Sequence, residues 1–142
     1  MRLEPTLRWL VYTATAVLFA TGVAWWLLDA EADRSVRFYL IAVHGFAAMV
    51  FLGILGAVIA LHVAASWRKR RNRWSGTFVG VLAGLLAVTA YGLYYAGSDT
   101  LRGTISDIHL AAGILLALLL VTHIAIGRMT RPGMDGDPDD ME

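Results

Sequence analysis

Four stretches of this chain run without a charged residue for long enough to cross a bilayer: Trp9 to Leu28, Phe38 to Trp67, Trp74 to Ser98 and Ile108 to Gly127. Each reaches the roughly 20 residues that a helix needs to span hydrocarbon. Backbone polar groups in lipid must be satisfied within the protein, which leaves only helices or closed barrels. Continuous apolar runs of this length select helices, because barrel strands are short and alternate in polarity. The expected fold is therefore all-α, an integral membrane four-helix bundle in up-down-up-down order. Composition agrees: 58% of residues are hydrophobic and 16% charged, with mean hydropathy +0.61, too apolar for a soluble domain of this size.

The charges that remain are sorted by position. "RKRRNR", Arg68 to Arg73, lies between the second and third spans and is the densest basic cluster in the chain. By the positive-inside rule it is expected to stay cytoplasmic, which puts both termini there too. The first connection, "DAEADRSVR", and the third, "GSDTLRGTISD", are acidic or mixed and are expected to face outward as loops. Residues 1–131 form the expected membrane domain, and 132–142, with "DGDPDDME", an acidic disordered tail. Ala30-Glu31-Ala32 has the form of a signal-peptidase site, but the apolar run before it exceeds a usual signal h-region, so span one is expected to be retained. Nucleic acid is not an expected partner.

A two-helix repeat is visible. "ATGVAWWLL" at Ala20 to Leu28 resembles "AYGLYYAG" at Ala90 to Gly97, and the histidine-bearing second span resembles the fourth. Two helices return the chain to the same side, so the halves would be related by an axis along the membrane normal.

All four histidines, His44, His62, His109 and His123, fall in spans two and four. Eighteen residues are about five helical turns and fourteen fall about 40° short of four, so each helix shows both imidazoles on one face. The two spans run in the same direction. His44 and His109 then lie at the outer level, and His62 and His123 at the inner. Two imidazoles facing across a bundle core at each of two depths suit axial ligation of two stacked haems. The inner pair matches in depth. The outer pair is mismatched by about one turn on ideal helices, which tilt or a bend at Gly53 and Gly56 would absorb.

Rival readings have less support. The spans hold no Asp or Glu for a proton relay, and each level offers two ligands where tetrahedral zinc wants four. There is no cysteine, which excludes thiolate sites and covalent c-type haem attachment. Arg34, Arg37 and Arg102 outside, with Arg68, Arg128 and Arg131 inside, are candidate partners for haem propionates; the inner set doubles as a topology signal. Gly45, Gly53, Gly56 and Gly113 offer close approach to either a porphyrin or a neighbouring helix. Trp9, Trp25, Trp26, Trp67 and Trp74 read as interfacial belt residues.

Thr21-Gly22, His44-Gly45 with "HVAASW" (His62 to Trp67), "HLAAG" (His109 to Gly113) and "HIAIG" (His123 to Gly127) resemble the bacterial di-haem b-type cytochrome membrane proteins, in particular the flavinylation-associated, cytochrome b561-like type. The resemblance covers nearly the whole chain. It implies two non-covalent b haems on His44/His109 and His62/His123. It also implies electron exchange across a bacterial-type cytoplasmic membrane, between a quinol or cytoplasmic-side donor and an extracytoplasmic redox protein. No Gly-rich nucleotide loop appears, so partners are expected to supply the ends of the circuit. The chain reads as an electron-transfer subunit of an oxidoreductase system more than a stand-alone enzyme. Two other classes remain open: a haem-free membrane anchor or assembly subunit, and a small metal or proton transporter.

Overall fold

The computed structural model describes residues 4–28, 33–63 and 73–129, apart from the side chains of His62, Arg73 and Arg128. Within them are four long helices: α1 (Pro5–Leu27), α2 (Arg34–Val58, continued by a π-helical segment Ile59–Val63), α3 (Arg73–Tyr95) and α4 (Asp99–Met129). All four are long and apolar enough to cross a membrane. They pack as two antiparallel hairpins, α1 with α2 and α3 with α4, and the hairpins meet chiefly where α1 approaches α4.

Local chemistry fixes the helix starts. Pro5 opens α1, where a missing N–H costs nothing. Asp33 caps α2 by accepting the Ser35 backbone N–H at 2.8 Å, and the Ser35 hydroxyl donates to the same oxygen. Ser98 caps α4 by accepting the Leu101 N–H at 3.2 Å, and Asp99 in the first turn complements the helix dipole. The second cap revises the expected loop. Most of "GSDTLRGTISD" is the first two turns of α4, leaving only Ala96 to Ser98 between helices. At 31 residues α4 is about 46 Å long, so its polar first turns extend past a hydrocarbon layer of about 30 Å. Likewise, Arg34 to Arg37 of the expected first loop belong to α2.

The core is thin and built on small residues. One alanine from each helix is buried, Ala14, Ala47, Ala83 and Ala112, joined by Ile54, Leu116 and Thr89. Alanines let helix backbones approach where hydrophobic burial gives no drive between them. Large apolar side chains such as Phe46, Met49, Val88 and Val121 point outward, as lipid-facing residues do. Trp9, Trp26 and Trp74 are exposed near helix ends, in keeping with an interfacial belt; Trp67 lies outside the described residues.

The two hairpins share a register of helix starts. α1 and α3 have 23 residues each and map onto one another at a shift of 68, while α2 and α4 begin 65 positions apart. The three-residue difference is the shorter second connection. This register pairs Asp33 with Ser98, Arg37 with Arg102, His44 with His109 and Ala47 with Ala112. It also corrects the alignment read from likeness alone, because Thr21 falls opposite Thr89 and not opposite Tyr91.

Candidate functional site

His44 and His109 each stand ten residues into their helix, about 15 Å from its start. That equality levels the outer pair and moves the four-residue difference in histidine spacing to the inner one, since His62 stands 28 residues past the start of α2 and His123 24 past the start of α4. Counted from the true helix starts, His44 and His109 are level, and their ring centres are 6.2 Å apart with planes inclined at 68°. The irregularity in α2 lies elsewhere. The α-helix runs through Gly53 and Gly56, and the π-helical turn at Ile59–Val63 places an extra residue in the turn that carries His62. His62 therefore no longer follows the five-turn register to His44 that a continuous α-helix would give.

A hydroxyl on the neighbouring helix holds each of the paired imidazoles. Thr21 Oγ1 of α1 lies 2.9 Å from His44 Nδ1, and Thr89 Oγ1 of α3 lies 2.7 Å from His109 Nδ1. Both hydroxyls sit within donor distance of their own helix's carbonyls, Val17 at 2.7 Å and Leu85 at 2.8 Å. A hydroxyl has one proton to give. With that proton on the carbonyl, the oxygen accepts from Nδ1–H, and the proton of the neutral ring is then fixed on Nδ1. Nε2 keeps its lone pair, as a metal ligand requires.

The remaining histidine with a described side chain follows the same plan. His123 Nδ1 lies 2.9 Å from Ser75 Oγ of α3. Ser75 and Thr89 are fourteen residues apart, and so are His123 and His109, so the antiparallel hairpin forms two equivalent rungs. Glycines make room beside two of the rings. A Cβ on Gly22 would stand 3.4 Å from His44 Cε1, and one on Gly76 would stand 3.7 Å from His123 Cε1. Thr21-Gly22 and Ser75-Gly76 thus share one device, a hydroxyl that holds the ring followed by a residue that admits it.

Other expected site residues fall out as follows. Arg37 Nη2 donates to the Leu28 carbonyl at 3.3 Å and its guanidinium lies 5.0 Å from the Trp25 ring centre, while its Nε is buried with no hydrogen-bond partner. Arg102, its repeat mate, donates from Nη2 to the Ala96 carbonyl, also at 3.3 Å. Each arginine so caps the end of the preceding helix, where the dipole favours a cation. Each also stands seven residues before its histidine, on the same face and about 10 Å nearer the connection end. Gly45 faces the Tyr94 hydroxyl and Gly113 the side chain of Leu86, whereas Gly53 and Gly56 face open space. Arg68 and Arg131, and the side chains of His62 and Arg128, lie outside the described residues.

The chemistry open to the paired imidazoles is two-point ligation. A metal held between these rings would take one Nε2 lone pair from α2 and one from α4, whose ring centres lie 6.2 Å apart. Among the described residues no group of three or more His, Cys, Asp or Glu gathers as a closed metal cage would need. Two neutral imidazoles are a donor set that would suit a metal whose remaining positions another group fills. Sequence reasoning named the histidines and missed Ser75 and Thr89; the shared fourteen-residue spacing was the available signal.

Fold and site together define a multi-pass membrane protein with a level pair of hydroxyl-held histidines between its hairpins. Compared with protein-family models, curated proteins and solved structures, the chain matches none of them.

Proposed function

We propose that this protein is a di-haem b-type cytochrome that carries electrons across its membrane. The observation that carries the reading is the His44–His109 pair: level, 6.2 Å between ring centres, and each with its Nδ1 committed to a hydroxyl. These two would hold the outer haem, and His62 with His123 the inner. Haem iron, when bound, supplies a one-electron couple, and two imidazoles leave it no open position for substrate.

The chain's own residues do the rest. α2 and α4 bring His44 and His109 together from opposite hairpins, and α1 and α3 fix the tautomer of those rings. Arg37 and Arg102, on the same faces as the outer histidines, are placed to meet propionates, with Arg68 and Arg128 expected to serve the inner group. The fourteen residues between His109 and His123 span about 21 Å of helix, most of a hydrocarbon core of about 30 Å. Groups held at those two depths would give electrons a path through a layer that excludes ions. A quinol or cytoplasmic-side donor and an extracytoplasmic redox protein are the proposed ends of the circuit, in a bacterial-type cytoplasmic membrane with both termini cytoplasmic.

A reduced-minus-oxidised visible spectrum of the purified protein, with haem counted per chain, is the direct test. Two b haems per chain, one of them lost in His44→Ala and in His109→Ala, is the expected result. No haem from cells able to supply it would remove the reading and leave a membrane anchor or transporter.

A further inference from the structure

We infer that Thr21 and Thr89 are positioning residues that set the reduction potential of the outer station, by holding His44 and His109 as neutral, Nδ1-protonated ligands of fixed donor strength. The inference rests on the haem reading of that pair.

The argument starts from proton counting. Each threonine oxygen lies within hydrogen-bond distance of an imidazole Nδ1 on the next helix and a carbonyl one turn back on its own. If the hydroxyl proton goes to the carbonyl, every group in the chain is satisfied once: Nδ1–H to hydroxyl, hydroxyl to carbonyl. If the proton went to Nδ1 instead, the carbonyl would lose its extra donor and the proton on Nε2 would block ligation. The first arrangement is the one compatible with a ligand. Thr89 is buried, so little water competes for these groups.

A neutral hydroxyl is a deliberate strength of acceptor. A carboxylate in its place would pull the Nδ1 proton, make the ring more basic and favour the ferric state; a methyl would withdraw the hydrogen bond and do the reverse. The hydroxyl lies between these limits. Both outer ligands have one, and the two are related by the repeat, so both axial bonds are tuned alike.

Thr21→Val and Thr89→Val are near-isosteric replacements that remove only the acceptor. Spectroscopic redox titration of the purified protein, with the outer signal identified as the one missing in His109→Ala, reads the effect. We expect each variant to keep its haem count and raise the outer midpoint by about a tenfold change in the ferric-to-ferrous preference, which is about 59 mV for one electron, with the double variant higher still. Thr21→Ser and Thr89→Ser, which restore the hydroxyl without the methyl, are expected to titrate like the parent protein. An unmoved outer midpoint in haem-replete Val variants overturns the inference and leaves the cytochrome reading standing. Ser variants that behave like the Val variants, by shift or by haem loss, overturn it too, because the methyl and not the hydroxyl would then matter. A parent protein without haem overturns the reading beneath it.

Discussion

The two hairpins are built alike at one end and differently at the other. At the end with the short connections, each contributes a capped helix start, an arginine that caps the preceding helix, a histidine ten residues in and a threonine to hold it. Toward the termini the likeness stops. α3 supplies a second rung, Ser75 to His123, whereas the same register carried down the first hairpin would set His62 opposite residue 3, before α1 begins at Pro5. α2 also changes to a π-helical turn there. At the shift of 65 that aligns the upper parts of α2 and α4, His123 falls opposite Val58 and not His62. The difference teaches that the His44/His109 level repeats between the hairpins, while the arrangement toward the termini does not.

That contrast can be broken at several points. The largest effect is expected from bulk placed against the rings. Gly22→Leu forces a side chain where a Cβ already comes to 3.4 Å from His44, and Gly76→Leu does so beside His123. Haem content and visible spectra should show opposite losses, the outer signal in the first variant and the inner in the second. Loss of both signals in either variant would mean that the levels are not independent.

Gly22→Ala sharpens the comparison. The second hairpin has Ala90 at the matching position, so on the proposed di-haem reading this smaller change is expected to leave the haem count unchanged and shift only the outer spectrum.

Stability separates the hairpins next. Thr89 is buried and Thr21 only partly so, and side-chain hydrogen bonds between membrane helices contribute about 0.6 to 1.7 kcal/mol each. Thermal unfolding in detergent is expected to place Thr89→Val below Thr21→Val. The reverse order would show that the first hairpin, not the second, has the firmer rung.

The smallest effect concerns the caps. Hydrogen bonds from the Ser35 side chain and backbone hold the Asp33 carboxyl below its ordinary value of 3.8. A carboxyl lowered by folding stabilises above the unfolded value and loses that contribution as pH falls through the folded one. Acidification below about pH 4 should therefore speed amide exchange at the start of α2. Asp33→Ser, which caps with a hydroxyl that does not titrate, is expected to reduce that acid sensitivity.

Much of this was legible in the sequence, and the misses have physical causes. Charge-free runs gave the four spans because the hydrocarbon requirement is local and additive. The start of α4 was misplaced because its first turns are polar and exposed, and hydropathy cannot tell a polar helix outside the membrane from a loop. The outer histidines looked mismatched because the inner pair was taken as level from its distance to the basic flanks, whereas the caps show that it is the outer pair that is level. Thr89 and Ser75 were overlooked because hydroxyls in apolar helices ordinarily bond their own carbonyl one turn back, as Thr89 also does, so the residue alone says nothing of a second partner.

The amino-acid sequence by itself determined that this chain crosses a membrane four times as helices, and that its imidazoles sit on the second and fourth. Both facts depend on composition and period within single segments. Only the tertiary structure decided that His44 and His109 face one another at 6.2 Å, and that Thr21, Thr89 and Ser75 hold the rings. Those relations depend on the register and distance between helices. Small buried residues and the lengths of two short connections set these, and no periodicity within one helix encodes them.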